Sequence, residues 1–283
     1  MSIDSLSAGR VFRAGDVMSR AWRIFIGNIL FFLLVPFVVQ VVAVVAVVVF
    51  AFTFIFAGWA TGTIVLAVAG IILAVIAALS VYSIGTAIVL GGAFQRMRGQ
   101  PLRLGEAIQR AFARLLSLLG LALLWALALG LCVLFSVFFV WTITFLVSGS
   151  GSITLQVAWP IVVGFLVFLV PATILFVIWM VVVPACVVEG SGAIASIVRS
   201  TDLTKGYRAK IFGIVLLLGL LFVAVSVVQT IVGVFSEVGA TVVGTIGWLA
   251  WSAYWNCAVV MTYHDLRVAK EGIDTSQIAE IFD

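Results

Sequence analysis

Residues 24–57 read IFIGNILFFLLVPFVVQVVAVVAVVVFAFTFIFA, without one charged side chain. A bilayer crossing takes about 20 apolar residues, so this run supplies a span and more. The apolar core of a cleavable signal is only about 7–15 residues long and ends at a small-residue cleavage site. The run is therefore expected to stay as a first span. Working outward, residues 24–95, 115–188 and 211–266 contain no Lys or Arg. All fifteen basic residues fall in four clusters: Arg10–Arg23, Arg96–Arg114, Arg199–Lys210 and Arg267–Lys270. Each uncharged stretch is too long for one crossing and suits two.

Composition agrees. The chain is 65% hydrophobic and 9% charged, against roughly a quarter charged in soluble domains. It cannot clothe itself in polar surface, so lipid must be its solvent. A β-barrel is excluded by the valine-rich run 38–50, because barrel strands alternate apolar and polar over about ten residues. Strand propensity there yields to the need of a backbone in lipid to satisfy its own hydrogen bonds as a helix.

Turn chemistry divides each stretch at Gly58–Gly62, at Ser148–Ser152 and around Ser236–Gly239. This predicts six spans near 28–54, 63–93, 115–146, 158–187, 211–235 and 241–263. Pro36, Pro160, Pro171 and Pro184 are expected to kink or start helices. All four basic clusters then lie on one side, and the opposite loops carry only Glu237. By the positive-inside rule both termini are cytoplasmic and the location is the cytoplasmic membrane. Trp59, Trp141, Trp159 and Trp248 flank the outer loops, as an aromatic belt would.

The cytoplasmic segments repeat. Gly15-Asp16-Val17-Met18-Ser19-Arg20-Ala21-Trp22 matches Gly105-Glu106-Ala107-Ile108-Gln109-Arg110-Ala111-Phe112 in residue type at nearly every position. Apolar side chains fall at i, i+1, i+4 and i+5, the period of an amphipathic helix. A weaker third copy places Ile194, Ile197 and Val198 on the apolar face, with Arg199 in the arginine position. Ser200-Thr201-Asp202 departs from the Ala-aromatic pair. The implied unit is one interfacial helix and two spans, repeated in parallel over about 10–98, 99–189 and 190–283. The expected fold is thus an all-α integral membrane protein, a pseudo-threefold bundle of six spans.

Four motifs at the cytoplasmic edge carry a resemblance: Arg20-Ala21-Trp22-Arg23-Ile24-Phe25-Ile26-Gly27-Asn28, Val183-Pro184-Ala185-Cys186-Val187-Val188-Glu189-Gly190, Val198-Arg199-Ser200-Thr201-Asp202-Leu203-Thr204-Lys205-Gly206, and Tyr263-His264-Asp265-Leu266-Arg267-Val268-Ala269-Lys270-Glu271-Gly272. Together the chain resembles the membrane domain of bacterial glycerophosphoryl diester phosphodiesterases and related stand-alone six-span proteins. In that family the phosphodiesterase activity sits on a separate soluble barrel. No such barrel stands within these 283 residues, so the resemblance implies a fold and a membrane location rather than catalysis.

Individual candidates are few. Arg20, Arg110, Arg199, Lys205 and Arg208 are candidate contacts for anionic lipid headgroups. Glu189, Asp202, His264, Asp265 and Arg267 form a candidate polar cluster at the inner edge, with Glu189 expected to pair with Arg199 or Lys205. His264 beside Asp265 is read either as an interfacial histidine or as half of an acid–base pair. Gln40, Gln229 and Asn256 are the polar side chains inside spans; they either bond across helices or line a path. Cys132, Cys186 and Cys257 are isolated, with no metal-ligand spacing. No cofactor motif occurs, and no basic face carries groups for reading nucleic acid. The spans hold no deep charge, which argues against an ion-coupled pump.

Three function classes follow. The leading one is a non-enzymatic scaffold or accessory factor bound to membrane lipids through its basic interfacial helices, compatible with a membrane-protein partner. The second is a transporter or flippase for an apolar or amphipathic solute. The third, an inner-leaflet enzyme, would need a pocket built from Glu189, His264 and Asp265.

Overall fold

The structure, a computed structural model, describes residues 13–147 and 153–271, with side chains described except at 145–147 and 153–161. The turn expected at 148–152, the side chain of Trp159, and Arg10 and Gly272 lie outside the described residues. The described chain is helical: α1 (Ala14–Gly27), α2 (Ile29–Thr61), α3 (Ile64–Met97), α4 (Leu104–Ala113), α5 (Leu115–Val147), α6 (Ile153–Ile178), α7 (Val182–Glu189), α8 (Ala193–Thr204), α9 (Arg208–Phe235) and α10 (Glu237–Glu271).

Five stretches are long and apolar enough to cross a membrane: Ile29–Thr61, Ile64–Met97, Leu115–Thr144, Val162–Glu189 and Arg208–Phe235. The valine-rich run is helix within α2. α10, with 35 residues, is as long as any of them. It is less apolar because Trp248, Trp251, Ser252, Tyr254, Trp255 and Asn256 interrupt it.

The helices form hairpins with very short turns. α2 runs past the expected break to Thr61 and is closed by Gly62 at φ +67°, the left-handed cap that glycine adopts without strain. Only Ser236 separates α9 from α10. Its hydroxyl accepts the Gly239 N–H at 3.0 Å, a helix N-cap. Small residues let hairpin partners approach. Gly70 faces Phe54, Gly85 faces Val39, Gly164 faces Val140, and Gly247 faces Val225.

The core is concentrated at the end of the bundle that carries the basic clusters. Buried residues there include Phe32, Val89, Leu90, Ala93, Ile214 and Ala258. Toward the other end, α2 buries only Gly58 beyond Phe32, α9 has no buried residue after Leu218, and α10 none before Leu249. The hairpins are thus joined at the basic end, and their far halves expose large apolar side chains such as Phe52, Ile71, Leu134 and Val234.

The three short amphipathic helices lie beneath this core in a cyclic order. α4 packs chiefly on α3, α8 on α7, and α1 on α10. Each therefore rests on the inner end of the second helix of a hairpin, and α1 closes the circle onto the last. The register is the same in all three. Val17 and Ala21, Ala107 and Ala111, and Ser196 and Ser200 are the buried pairs, four residues apart. The expected apolar face is divided. Its small members enter the core, while Trp22 and Phe112 stay about half exposed.

Ser200 explains why the third copy departs from alanine. Pro184 sits in the first turn of α7, where a missing N–H is tolerated, but it cannot donate to the carbonyl four residues back. The helix breaks at 179–181, and the Val182 N–H turns to the Trp179 carbonyl at 3.2 Å. The Ile178 carbonyl, which Val182 would otherwise satisfy, instead accepts the Ser200 hydroxyl at 2.7 Å. An orphaned carbonyl in this apolar setting would cost about 1–3 kcal/mol. Pro36 and Pro171, by contrast, lie within α2 and α6.

Ser200→Ala is accordingly expected to destabilise the protein by about 1–2 kcal/mol, read as a lower melting temperature in detergent. Most of that loss should vanish in a Pro184→Ala background, where the helical ladder can run through; additive losses would show that the two residues act separately.

Candidate functional site

The last two turns of α10 carry the chemistry. The span expected to end at 263 continues as helix to Glu271. Tyr263, Arg267 and Glu271 therefore recur at four-residue spacing on one helical face. That face meets the end of α7 and the middle of α8, where Glu189 and Arg199 stand.

Five side chains close a ring. The Tyr263 hydroxyl donates to Glu189 Oε1 at 2.8 Å. Arg199 Nε donates to both Glu189 oxygens at 2.9 Å, and its Nη2 reaches Glu271 Oε1. Arg267 Nε donates to Glu271 Oε2 at 3.0 Å, and its Nη1 returns to the Tyr263 hydroxyl at 3.5 Å. Two guanidinium and two carboxylate groups make the ring electrically neutral. Charges partly withdrawn from water in this way are favoured by pairing and hydrogen bonding. The Tyr263 ring is fully buried, edge-on to Phe94 of α3 at 5.9 Å, with the Arg267 guanidinium 5.8 Å from its centre.

Neighbouring contacts fasten the same corner. Arg114 Nη1 donates to the Gly190 carbonyl at 2.6 Å. Gly190 holds φ +68°, a left-handed conformation that strains other residues, and a Cβ there would displace the Arg114 guanidinium. Lys270 donates to the Asp202 carbonyl in the last turn of α8, a favourable place for a cation. On another side of α10, Asp265 binds Arg20 of α1, both about 15% exposed, and His264 Nδ1 lies 3.2 Å from Asp265. Tyr254 donates to the Met18 carbonyl at 3.2 Å.

The candidate residues thus separate. Of the two bases weighed for Glu189, Arg199 is the one in contact. Glu189 belongs to the α7–α8–α10 ring, whereas Asp265 is held by α1. Arg20 and Arg199, expected to face headgroups, are engaged by carboxylates. Arg110 differs: it is 65% exposed and pairs only with Glu106, one turn back on its own helix. Lys205 and Arg208 are exposed. Gln40 and Gln229 are exposed on α2 and α9, Gln229 lying over Gly244. Asn256 donates to the Ser252 carbonyl of its own helix at 2.8 Å. Among the described residues, no three His, Cys, Asp or Glu side chains converge as a metal-binding group.

Sequence reasoning passed over Tyr263 and Glu271 as partners. The available signal was the 263–267–271 spacing, hidden by ending the span at 263.

Comparison with protein-family models, with curated proteins and with solved structures returns no match for this chain.

Partial burial works against the charged form of Glu271. Hydrogen bonds from Arg267 and Arg199 outweigh it and hold the carboxyl below its ordinary value of 4.5. A depressed folded-state value stabilises the protein above the unfolded value and is lost as pH falls through the folded one. The melting temperature of the wild type should therefore fall more steeply below pH 4.5 than that of Glu271→Gln. Equal slopes would show that the ring contributes no pH dependence. Arg199→Ala, which strands two carboxylates, should cost about 1–3 kcal/mol, since the group is partly screened by water.

Proposed function

We propose that the chain is a non-enzymatic, six-span accessory protein of the cytoplasmic membrane that holds anionic lipid headgroups on its basic face. Its sixth span is α10. The likeness of its cytoplasmic-edge motifs to the membrane domain of the phosphodiesterase family supports a setting in lipid metabolism.

One observation carries this reading. Arg13, Arg23, Arg98, Lys205, Arg208 and Lys210 are exposed at the basic end and have no carboxylate partner. Arg23 lies on α1, Arg13 and Lys205 cap α1 and α8, and the short helices expose apolar side chains: Trp22 and Ile26 on α1, Phe112 on α4, Ile194 and Val198 on α8. That pairing of cations with apolar anchors at one level is what an interfacial helix offers to an anionic bilayer surface. Each such cation near the surface contributes about 1 kcal/mol. Arg98 adds a local reason: partial desolvation, and then the nearby Arg110 charge, disfavour its protonated form, and an anion beside it would offset the Arg110 charge.

The cyclic docking of α1, α4 and α8 supports an origin in three copies of one interfacial helix and two spans. The common buried register, Ala21, Ala111 and Ser200, supports it further.

The test replaces Lys205, Arg208 and Lys210 together by Glu and compares retention of phosphatidylglycerol and phosphatidylcholine by native mass spectrometry. Phosphatidylglycerol retention should fall severalfold with an unchanged melting temperature; unchanged retention would overturn the reading. Topology is checked separately with a membrane-impermeant maleimide. S236C should react in intact cells, and K205C only after permeabilisation.

A further inference from the structure

The end of α10 delivers the chain to a corner with excess positive charge. Arg199 of α8 reaches Glu271, and Lys270 donates to the Asp202 carbonyl in the last turn of α8. Three residues beyond Asp202 begins the turn Lys205-Gly206-Tyr207-Arg208-Ala209-Lys210. Lys205, Arg208 and Lys210 are exposed, and among the described residues none has a carboxylate partner. The acids of the neighbouring ring, Glu189 and Glu271, are already engaged by Arg199 and Arg267. On α8, Ile194 and Val198 expose apolar side chains one helical turn apart.

The sequence that follows Glu271 has the complementary chemistry. Residues 272–283 read GIDTSQIAEIFD, with Asp274, Glu280 and Asp283 acidic and none basic. Ile273, Ile278, Ile281 and Phe282 are interleaved with these acids. Three carboxylates and several apolar side chains thus leave α10 beside three unpaired cations and two exposed apolar side chains.

Reach is sufficient. Lys210 is eight residues from Asp202, so it lies at most about 28 Å from the point where Lys270 is fastened. The twelve residues 272–283 extend up to about 40 Å. Exposed ion pairs are individually weak, but here both sides belong to one chain. Their meeting is intramolecular and takes place at high effective concentration, which favours this chain's own segment over a second copy.

We infer that segment 272–283 docks on the Lys205–Lys210 turn of its own chain, its carboxylates on Lys205, Arg208 and Lys210 and its apolar side chains against Ile194 and Val198. Docking neutralises this corner of the basic face. Where the same cations hold lipid headgroups, segment and headgroup compete for them. That consequence rests on the headgroup reading; the docking does not.

The test uses the full chain in uncharged phosphatidylcholine nanodiscs, so that no anionic lipid contends for the site. A carbodiimide, which condenses a carboxylate with a lysine amine in direct contact, should join Lys205 or Lys210 to Asp274, Glu280 or Asp283, as mapped by peptide mass spectrometry. Raising the salt from about 50 mM to 1 M, where the screening length falls to about 3 Å, should remove these crosslinks. In D274N/E280Q/D283N, acetylation of Lys205 and Lys210 by a soluble acylating reagent should rise about three- to tenfold. Lys270, held by the Asp202 carbonyl, should acetylate as in the wild type. No crosslink from Lys205 or Lys210 to the segment, crosslinks indifferent to salt, or unchanged acetylation of both lysines would overturn the proposal. So would crosslinks found only between isotope-labelled and unlabelled copies, which would place the segment on a neighbouring molecule. If the triple variant melts below the wild type, acetylation of the wild type across the same salt range carries the comparison. Because the lipid is uncharged, failure here leaves the headgroup reading untouched, and loss of phosphatidylglycerol retention elsewhere leaves this docking untouched.

Discussion

The corner where α7, α8 and α10 meet depends on one missing hydrogen-bond donor. Pro184 cannot donate to the carbonyl of Met180, and the helix is interrupted between α6 and α7. The break releases the Ile178 carbonyl, Ser200 takes it, and α8 is thereby pinned against the kink. With Ser200 fixed, the preceding residue is aimed, and Arg199 reaches Glu189 and Glu271 together. A change in backbone chemistry at one position thus decides which charges meet two helices away.

The first two interfacial helices solve the same seating problem without a polar bond. Ala21 and Ala111 occupy the position of Ser200 and are equally buried. The bare methyl suffices because α10 and α3 run unbroken where α1 and α4 dock. The basic residues are consequently not equivalent. Arg20, Arg114, Arg199 and Lys270 hold helices to one another. Arg267 pairs with Glu271 along its own helix, and Arg103 and Arg110 pair with Glu106. Among the described residues, Arg13, Arg23, Arg98, Lys205, Arg208 and Lys210 lie on the surface without a carboxylate partner. A charge count alone treats them all alike.

Much of the architecture was legible in the sequence, for a physical reason. Lipid removes every backbone solution but the helix, so the uncharged stretches fix where helices lie. Glycine and serine at Gly62 and Ser236 fix where they turn. The amphipathic period likewise located α1, α4 and α8. What escaped was set by tertiary contact. A four-residue period of Val17 and Ala21 cannot say which neighbour receives them. The length of α10 beyond 263 was hidden because hydropathy falls where the helix leaves the apolar layer, although its hydrogen bonding continues. The partners of Arg199 were half legible: Glu189 is near in sequence, whereas Glu271 is brought in by the return of the last helix.

The uneven distribution of the core has a mechanical meaning. Three hairpins share buried contacts at one end, and at the other each touches little but its own partner. Each arm extends some 30 residues, or about 45 Å of helix, from a closely packed root. Packed roots resist deformation and the free arms do not. Sideways forces on the free arms, from changes in lipid crowding or thickness, therefore spread or gather them before they disturb the root. The bundle is stiff at its basic end and compliant at the opposite end, so it yields on one side while holding its form on the other.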